Sequence, residues 1–350
     1  MPNIFERKIT AKNIKQVWEA DTKNKDPFIG EMFYTDVQQA GLDINLLKGK
    51  EGLPVALVAA NWDTDVLYRD RIGFEGLQAE LPFFKEAYKV SEKLRQKIIT
   101  SQEQYTGAFF QEIFRDSTAL LLGARVTAER MRMQILGTGT ISIQENGVDK
   151  QYNYGFDTSK QLKTETVLWN AEGAKPLASF IAQIKAYKKY RKNLHVAKYA
   201  VMGEEAFDKL INDATVTEHF QKLAIPVPFP TDEMRRAYVE ATTNVTIILA
   251  DQYYVKARDF KNQVATPYYP ADRYTLLSTL DLGETIYGTT PEEADLLSGD
   301  SNVLSCEIVD NGVAITTWKE TDPVCVSVKV SEVVAPSCPN IEDLYIVKVL

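Results

Sequence analysis

The stretch Glu129-Arg130-Met131-Arg132-Met133-Gln134-Ile135-Leu136-Gly137-Thr138-Gly139 closes the longest periodic pattern in the chain. Leading into and through it, Phe109, Ile113, Leu120, Leu121, Ala124, Ala128, Met131 and Ile135 recur largely at three- or four-residue steps. Glu112, Arg115, Asp116, Arg125, Glu129 and Arg132 fall between them. That spacing predicts one amphipathic α-helix from about Gln102 to Gly137. At ~1.5 Å of rise per residue it reaches roughly 50 Å, well beyond an ordinary globular helix. Gly137 and Gly139 supply the stop. Gly137-Thr138-Gly139 is not a phosphate loop, because it follows a helix and precedes a strand pattern, the reverse of a dinucleotide fingerprint.

Downstream, Thr140–Ile143 and Tyr152–Tyr154 alternate about Asn146-Gly147, a strong hairpin signal. Residues 173–304 read as a separate α/β unit. A helix is marked by Leu177, Phe180, Ile181, Ile184 and Tyr187, strands by Tyr199–Met202, Asn244–Ala250 and Arg273–Thr279, and further helices by Glu204–Asn212 and Thr231–Ala241. Pro226, Pro228 and Pro230 form a stiff connector. From Gly312 the chain is β again, in Val313–Ile315, Val324–Val330 and Tyr345–Val349. These strands are expected to return to the hairpin that follows the long helix.

The N-terminal part carries no sustained apolar period, and residues 1–55 read as an irregular, extended arm punctuated by Asp26-Pro27, Gly30, Gly41, Gly49 and Gly52-Leu53-Pro54. Residues 56–96 read as two strands, Val55–Val58 and Val66–Tyr68, of a long hairpin broken by Gly73, Gly76 and Leu81-Pro82. Trp62, Leu67, Tyr68, Ile72, Phe74, Leu77, Phe83 and Phe84 lie where no long helix can shelter them. Soluble monomers avoid such exposed patches, so residues 60–82 are expected to bury against a neighbour and not in the subunit's own core. The fold class is α+β.

Composition is that of an ordinary globular protein, with 45% hydrophobic and 25% charged residues in a chain of 350. Neither a membrane span nor a signal peptide is expected, since no apolar run approaches the required ~18 residues. The net charge is −8, and residues 281–350 hold thirteen Asp or Glu against Lys319, Lys329 and Lys348. That segment is −10 and the remainder +2, a balance that argues against specific DNA binding. Residues 173–203 carry Lys175, Lys185, Lys188, Lys189, Arg191, Lys192 and Lys198 with no acid. They form either a solvated helix face or a surface for a neighbour's acidic tail or packaged nucleic acid.

Chemistry-bearing patterns are sparse. His195 and His219 have no carboxylate or cysteine at ligand spacing. Asp63, Asp65 and Asp70 lack the glycine and distal glutamate of a calcium loop. Cys306, Cys325 and Cys338 are odd in number, lack C-x-x-C spacing and read as reduced, packed thiols. No G-x-S-x-G, H-E-x-x-H or P-loop pattern occurs. No catalytic, cofactor-binding or metal residue is therefore assigned.

The order of parts resembles the tailed-phage major capsid proteins of the lambda type, which adopt the Hong Kong 97 fold. Four stretches carry the resemblance. Glu129 to Gly139 looks like the family's spine-helix end, and Tyr152-Asn153-Tyr154-Gly155-Phe156 like the strand that follows. Gly283-Glu284-Thr285-Ile286-Tyr287-Gly288-Thr289-Thr290-Pro291-Glu292 resembles a Tyr-Gly-x-x-x-Glu segment. Asp322-Pro323-Val324 with Ala335-Pro336-Ser337-Cys338-Pro339-Asn340 resembles the return strand and closing turn.

The resemblance implies an arm at 1–55, an extended loop at 56–96, a peripheral domain at 97–172 and 305–350, and an axial domain at 173–304. It further implies a non-enzymatic homo-oligomer of hexamers and pentamers in an icosahedral shell, without membrane contact. Scaffolding, portal and decoration proteins are the expected partners. The shell would enclose DNA without reading its sequence, and would be built in the bacterial host cytoplasm to end in the virion. Two other readings stand beside it: an encapsulin-like nanocompartment subunit, and a small-molecule-handling α/β enzyme built on residues 173–304. Whether Lys85 or Lys89 forms covalent links between subunits is left open.

Overall fold

The computed structural model describes residues 8–21, 26–49, 74–100, 103–145, 147–222, 227, 229–256, 263–298 and 305–350. Helices are α1 (Ala11–Ala20), α2 (Glu92–Thr100), α3 (Glu103–Thr138), α4 (Thr158–Gln161), α5 (Pro176–Tyr190), α6 (Glu204–Ile211), α7 (Ala214–Gln221), α8 (Asp232–Thr243) and α9 (Pro291–Ser298). The strands are β1 (Tyr34–Gln38), β2 (Asp43–Gly49), β3 (Phe74–Glu80), β4 (Phe83–Val90), β5 (Thr140–Glu145), β6 (Val148–Asn153), β7 (Leu162–Thr164), β8 (Tyr199–Gly203) and β9 (Thr246–Ala250). They continue with β10 (Tyr253–Val255), β11 (Ala265–Pro267), β12 (Arg273–Leu277), β13 (Gly283–Tyr287), β14 (Ser305–Val309), β15 (Val313–Thr321), β16 (Val324–Ser337) and β17 (Tyr345–Lys348).

The chain divides into two compact units, one of Met1–Ile44, Ala79–Arg132 and Gly283–Ser337, the other of Asn45–Gln78, Met133–Leu282 and Cys338–Leu350. The first is built on a six-stranded sheet in the order β1-β13-β16-β15-β14, with β4 also on β16. β16 is long enough to serve three neighbours: β15 along one side, β4 and then β13 along the other. β1 joins β13 in parallel, Tyr34 opposite Gly283.

Where the sequence suggested an irregular arm, residues 8–38 instead form α1, a 3₁₀ turn (Ile29–Met32) and β1, all docked at home. Ala11, Ile14 and Trp18 stand at helical spacing and are buried, a three-residue stripe too short to register as a period. Thr10 caps the helix by accepting from the Asn13 amide. Lys15 donates to the Ile308 carbonyl at 2.9 Å, and the Trp18 indole to the Asp310 carboxylate at 3.1 Å.

The long hairpin expected at 56–96 is also revised. Its two strands, Val55–Val58 and Val66–Tyr68, lie outside the described residues, as do Trp62 and Ile72. The strands that pair there are β2 and β3, on either side of that segment. Beyond β3, Leu81 is buried, β4 carries Phe83 and Phe84 into the six-stranded sheet, and α2 follows. Leu81 therefore belongs to the subunit's own core and Phe84 is half-buried, whereas the Phe83 side chain stays exposed.

α3 spans 36 residues, close to the predicted limits. The glycine stop holds. Gly139 has φ +76°, and a Cβ there would lie 2.3 Å from the Phe156 ring. The polar positions of the helix do not form a solvated face throughout, because Glu129, Arg130 and Arg132 are buried.

In the second unit β7-β17-β12-β8-β9 form a mixed sheet, with β8 parallel to β9 and antiparallel to β12. Ala200, Met202, Ile247, Tyr274, Leu276, Tyr345 and Val347 pack one face of it against Phe180, Tyr187, Phe207, Leu210, Phe220 and Val239 of α5–α8. The helices and strands expected over 177–279 are present within a few residues, and α7 is additional. Pro226 and Pro228 of the connector lie outside the described residues, as does Asn146 of the hairpin turn. The returning strands do not join β5–β6, which pair only with each other among the described residues. β17 pairs β12 and β7 instead.

The docking of α1 gives a direct test. Trp18→Ala removes a side chain that is 1% exposed and should cost about 3–5 kcal/mol. Urea denaturation of the variant measures the loss. An effect below about 1 kcal/mol would mean that the arm helix contributes little to the fold.

Candidate functional site

α3 presents Arg125, Glu129 and Arg132 at steps of four and three residues, which places them on one helix face. The 3₁₀ turn and β1 lie along that face. Gly30 donates its amide to Glu129 Oε1 at 2.7 Å. A Cβ at position 30 would lie 2.5 Å from Glu129 Oε2 and 2.9 Å from Arg132 Cβ, so only glycine permits the approach. Arg125 pairs with Glu31 at 2.9 Å, donates to the Asp26 carbonyl and lies over the Phe28 ring.

Arg132 is the centre of the seam. Its side chain is 2% exposed, its Nε donates to Thr285 Oγ1 at 2.8 Å, and its Nη2 pairs with Asp36. Glu129 and Glu31 stand 3.6 and 3.8 Å from its Nη1. A guanidinium buried without partners would cost several kcal/mol, and these contacts offset that penalty. The contacts join residues 99 and 153 positions apart in sequence, so the seam ties the arm, the long helix and β13 into one body.

Acid is in excess here. Burial pushes the Glu129 carboxyl up to about 7, against the pull of the Gly30 amide and Arg132. Glu332 on β16 is wholly enclosed, with neither carboxylate oxygen hydrogen-bonded; burial raises it far above the ordinary range and Arg132 only partly opposes this. The phenol of Tyr287 is likewise raised, chiefly by burial. Protonation thus removes charge that Arg132 and Arg125 alone cannot balance. The arrangement docks chain segments on one another.

Part of the acidic C-terminal segment is matched at home. Glu307 pairs with Lys15, Glu320 with Lys89, Glu292 with Lys329, and Glu342 with Arg191. Asp343 accepts from the Tyr187 hydroxyl at 2.6 Å and from the Ser278 amide at 2.7 Å. These carboxylates are therefore not held in reserve for a neighbour's basic helix. Lys89 is engaged by Glu320, and Lys85 lies over the Phe83 ring.

His219 stacks on Tyr238 with ring centroids 4.0 Å apart. Cys325 and Cys338 are buried and Cys306 half-buried. Asp63, Asp65 and Asp70 lie outside the described residues. Among the described residues no cluster of three His, Cys, Asp or Glu could hold a metal ion, and no helix is long and apolar enough to cross a membrane. From sequence Arg125, Glu129 and Arg132 read as a polar face, and their four-then-three spacing is the one signal of the seam.

The family model described as phage major capsid protein E matches residues 10–349. This chain belongs to that family. As a phage major capsid protein it shares its fold with several solved structures. A crystal structure described as the capsid protein of an Escherichia coli CFT073 prophage superposes with a TM-score of 0.62 at 11% identity, covering 98% of this chain and 99% of that one. A phage-related protein from Bordetella bronchiseptica RB50 gives 0.54 at 12% identity and 97% coverage of both. The capsid asymmetric unit of cyanophage A-1(L) gives 0.50 at 12%, covering 93% and 94%. No curated protein matches the sequence. The fold is the Hong Kong 97 type, as the resemblance implied, and the capsid family is favoured over the nanocompartment alternative.

The capsid protein's seam carries a pH signature. Glu129 ordinarily ionises near 4.5 and does so in the fold near 7. Between those values the unfolded chain has released a proton that the folded chain retains, so raising the pH through this window removes stability. Relative to Glu129→Gln, the wild type should lose on the order of 3 kcal/mol between pH 4.5 and 7. Chemical denaturation across that range reads the difference, and parallel pH profiles would contradict the assignment.

Proposed function

We propose that this capsid protein self-assembles, as hexamers and pentamers, into the icosahedral head shell that encloses the double-stranded DNA of a tailed phage. The observation that carries the reading is the family match over residues 10–349. The role is structural and not enzymatic. In this reading residues 1–55 are the arm, 56–96 the extended loop, 97–172 with 305–350 the peripheral domain and 173–304 the axial domain. Scaffolding, portal and decoration proteins are the partners that shell closure, DNA entry and reinforcement call for. Assembly takes place in the host cytoplasm and the product is the virion head, which holds DNA without sequence-specific contacts.

The docked arm supports this reading in a revised form. Residues 8–38 are held by their own subunit, so the contacts that reach a neighbour fall to other segments. Residues 60–73, rich in Trp62, Leu67, Tyr68 and Ile72, are the proposed reaching segment. Burial of each such side chain against a neighbour contributes roughly 1.5–3 kcal/mol before ordering costs.

Negative-stain electron microscopy and sedimentation of the expressed protein test the proposal. Closed shells or capsomers in the megadalton range are expected, and a strictly monomeric profile at every salt concentration would refute it. Replacing residues 63–72 by a short Gly-Ser linker should leave a cooperatively melting subunit that no longer closes into shells. Shells of normal yield from that variant would make the segment dispensable.

A further inference from the structure

Lys185, Lys188, Lys189 and Lys192 stand at steps of three, one and three residues and share the outer face of α5 and its C-terminal turn. All four are exposed, and none makes an ion pair among the described residues. The opposite side of the helix, Phe180 and Tyr187 with Ile184, packs on the sheet. Arg191, the inward cation of the segment, is engaged by Glu342 and Asp343. Lysines in a last helical turn favour the helix dipole, but that accounts for Lys188 and Lys189 and not for Lys185.

The same unit carries an acidic surface. Glu204 and Glu205 open α6, Asp232 and Glu233 open α8, Asp208 lies one turn into α6, and Asp251 follows β9. Burial first, then Glu204 and Asp232, raises the Asp208 carboxyl, so these charges feel one another across two helices. The Tyr253 hydroxyl, bonded to Glu204 at 2.6 Å, is in the field of Glu204, Glu205 and Asp251. Nearby cations are Lys209 and Arg235, the latter 3.8 Å from Asp232. Acids in first turns suit the helix dipole, whereas Asp208 and Asp251 have no such reason to be there.

The fold sets the two surfaces apart. α5 lies over β17 and β12, with Tyr187 against Tyr345 and Phe180 against Tyr274, and Gln183 reaches Glu165 just past β7. α8 lies over β9, where Glu240 accepts from the Ile247 amide at 2.8 Å. β7 and β9 are the two edges of the sheet. The charges therefore sit on different helices of one layer, and no ion pair joins them among the described residues of a single copy. Exposed apolar residues accompany each: Leu194 and Val196 after α5, Phe229 and Met234 at the start of α8. Apolar residues among charges suit a protein surface better than a phosphate backbone, which is gripped by cations and neutral hydrogen-bond donors.

We propose that the lysine face of α5 docks on the acidic end of α6 and α8 of the next copy of this chain, a head-to-tail contact that closes subunits into rings. The partner is a second copy, and the inference rests on the shell-forming reading above. Contact between two different surfaces of identical subunits generates rings when the rotation closes. Opposite charges across it select orientation and speed encounter.

Two charge-reversed variants test the contact. One carries Lys185→Glu, Lys188→Glu, Lys189→Glu and Lys192→Glu; the other carries Glu204→Lys, Glu205→Lys, Asp208→Lys and Glu233→Lys. All eight positions are exposed, and circular dichroism melts confirm folding. A neutral Gln version of the lysine set serves should the reversed one fail to fold. Each reversed variant alone should give at least about tenfold fewer particles than wild type. Mixed in equal amounts they should recover six-membered rings, in which the two kinds alternate. Normal assembly of either variant overturns the proposal while leaving the shell reading intact, as does a mixture that fails to recover. Normal assembly with loss of packaged DNA from the lysine variant assigns the face to nucleic acid and also overturns it. If wild type itself forms no particles, the shell reading fails and this contact with it.

Discussion

Arg132 is the constraint on which the first unit depends. A guanidinium that is almost wholly enclosed must find its partners inside the protein, and here they come from its own helix and two distant strands: Glu129 on α3, Asp36 on β1 and Thr285 on β13. Because β1 and β13 are adjacent and parallel, a shift of one relative to the other would separate Asp36 from Thr285. The buried charge therefore fixes register as well as position. A well-packed apolar cluster of the same volume would be as stable or more so, but would tolerate slippage that a forked donor does not. Gly30 completes the arrangement by letting the arm backbone approach where any side chain would collide with Glu129.

The same accounting explains the charge distribution. A segment of −10 looks in sequence like a surface waiting for a cation, but sequence distance is a poor guide to electrostatic distance. Lys15 and Lys89, remote in the chain, reach Glu307 and Glu320, and Asp343 is enclosed by a phenol and a backbone amide. These partners come from outside the segment and reduce its excess without cancelling it. Further unpaired charge lies on the outer face of α5 and at the entrances of α6 and α8.

Much of the second unit was legible because its signals are local. The stripe from Leu177 to Tyr187, the apolar run Tyr199–Met202 and the cap Thr231 each declare an element within a few residues. The long helix was legible for the same reason, and Gly139 announced its end. What escaped depends on partners far away. β1 is a strand because β13 offers it an edge, and β4 because β16 does. α1 buries three apolar residues, enough only when a sheet is present to receive them. Glu129 and Arg132 read as polar-face residues because helical spacing says where a side chain lies on the helix, not what covers it. The pairing of β17 with β12 and β7 is not legible, because strand pairing between distant segments leaves no trace in a single sequence.

Charged groups of the same kinds thus serve two ends in this chain, and burial separates them. In the seam, desolvation makes each unpaired group expensive, so the network is all-or-none and insensitive to salt. On the outer faces each pair is worth at most about 1 kcal/mol and weakens as salt rises. For a subunit that must first fold uniquely and then join many copies, this division is advantageous. Weak contacts can dissociate and re-form until a ring closes, whereas a strong first contact would lock in a misplaced subunit. The strong interactions belong inside the subunit, where the covalent chain already makes the partners unambiguous. The weak ones belong between copies, where repetition around a closed lattice multiplies a small surplus into a stable shell.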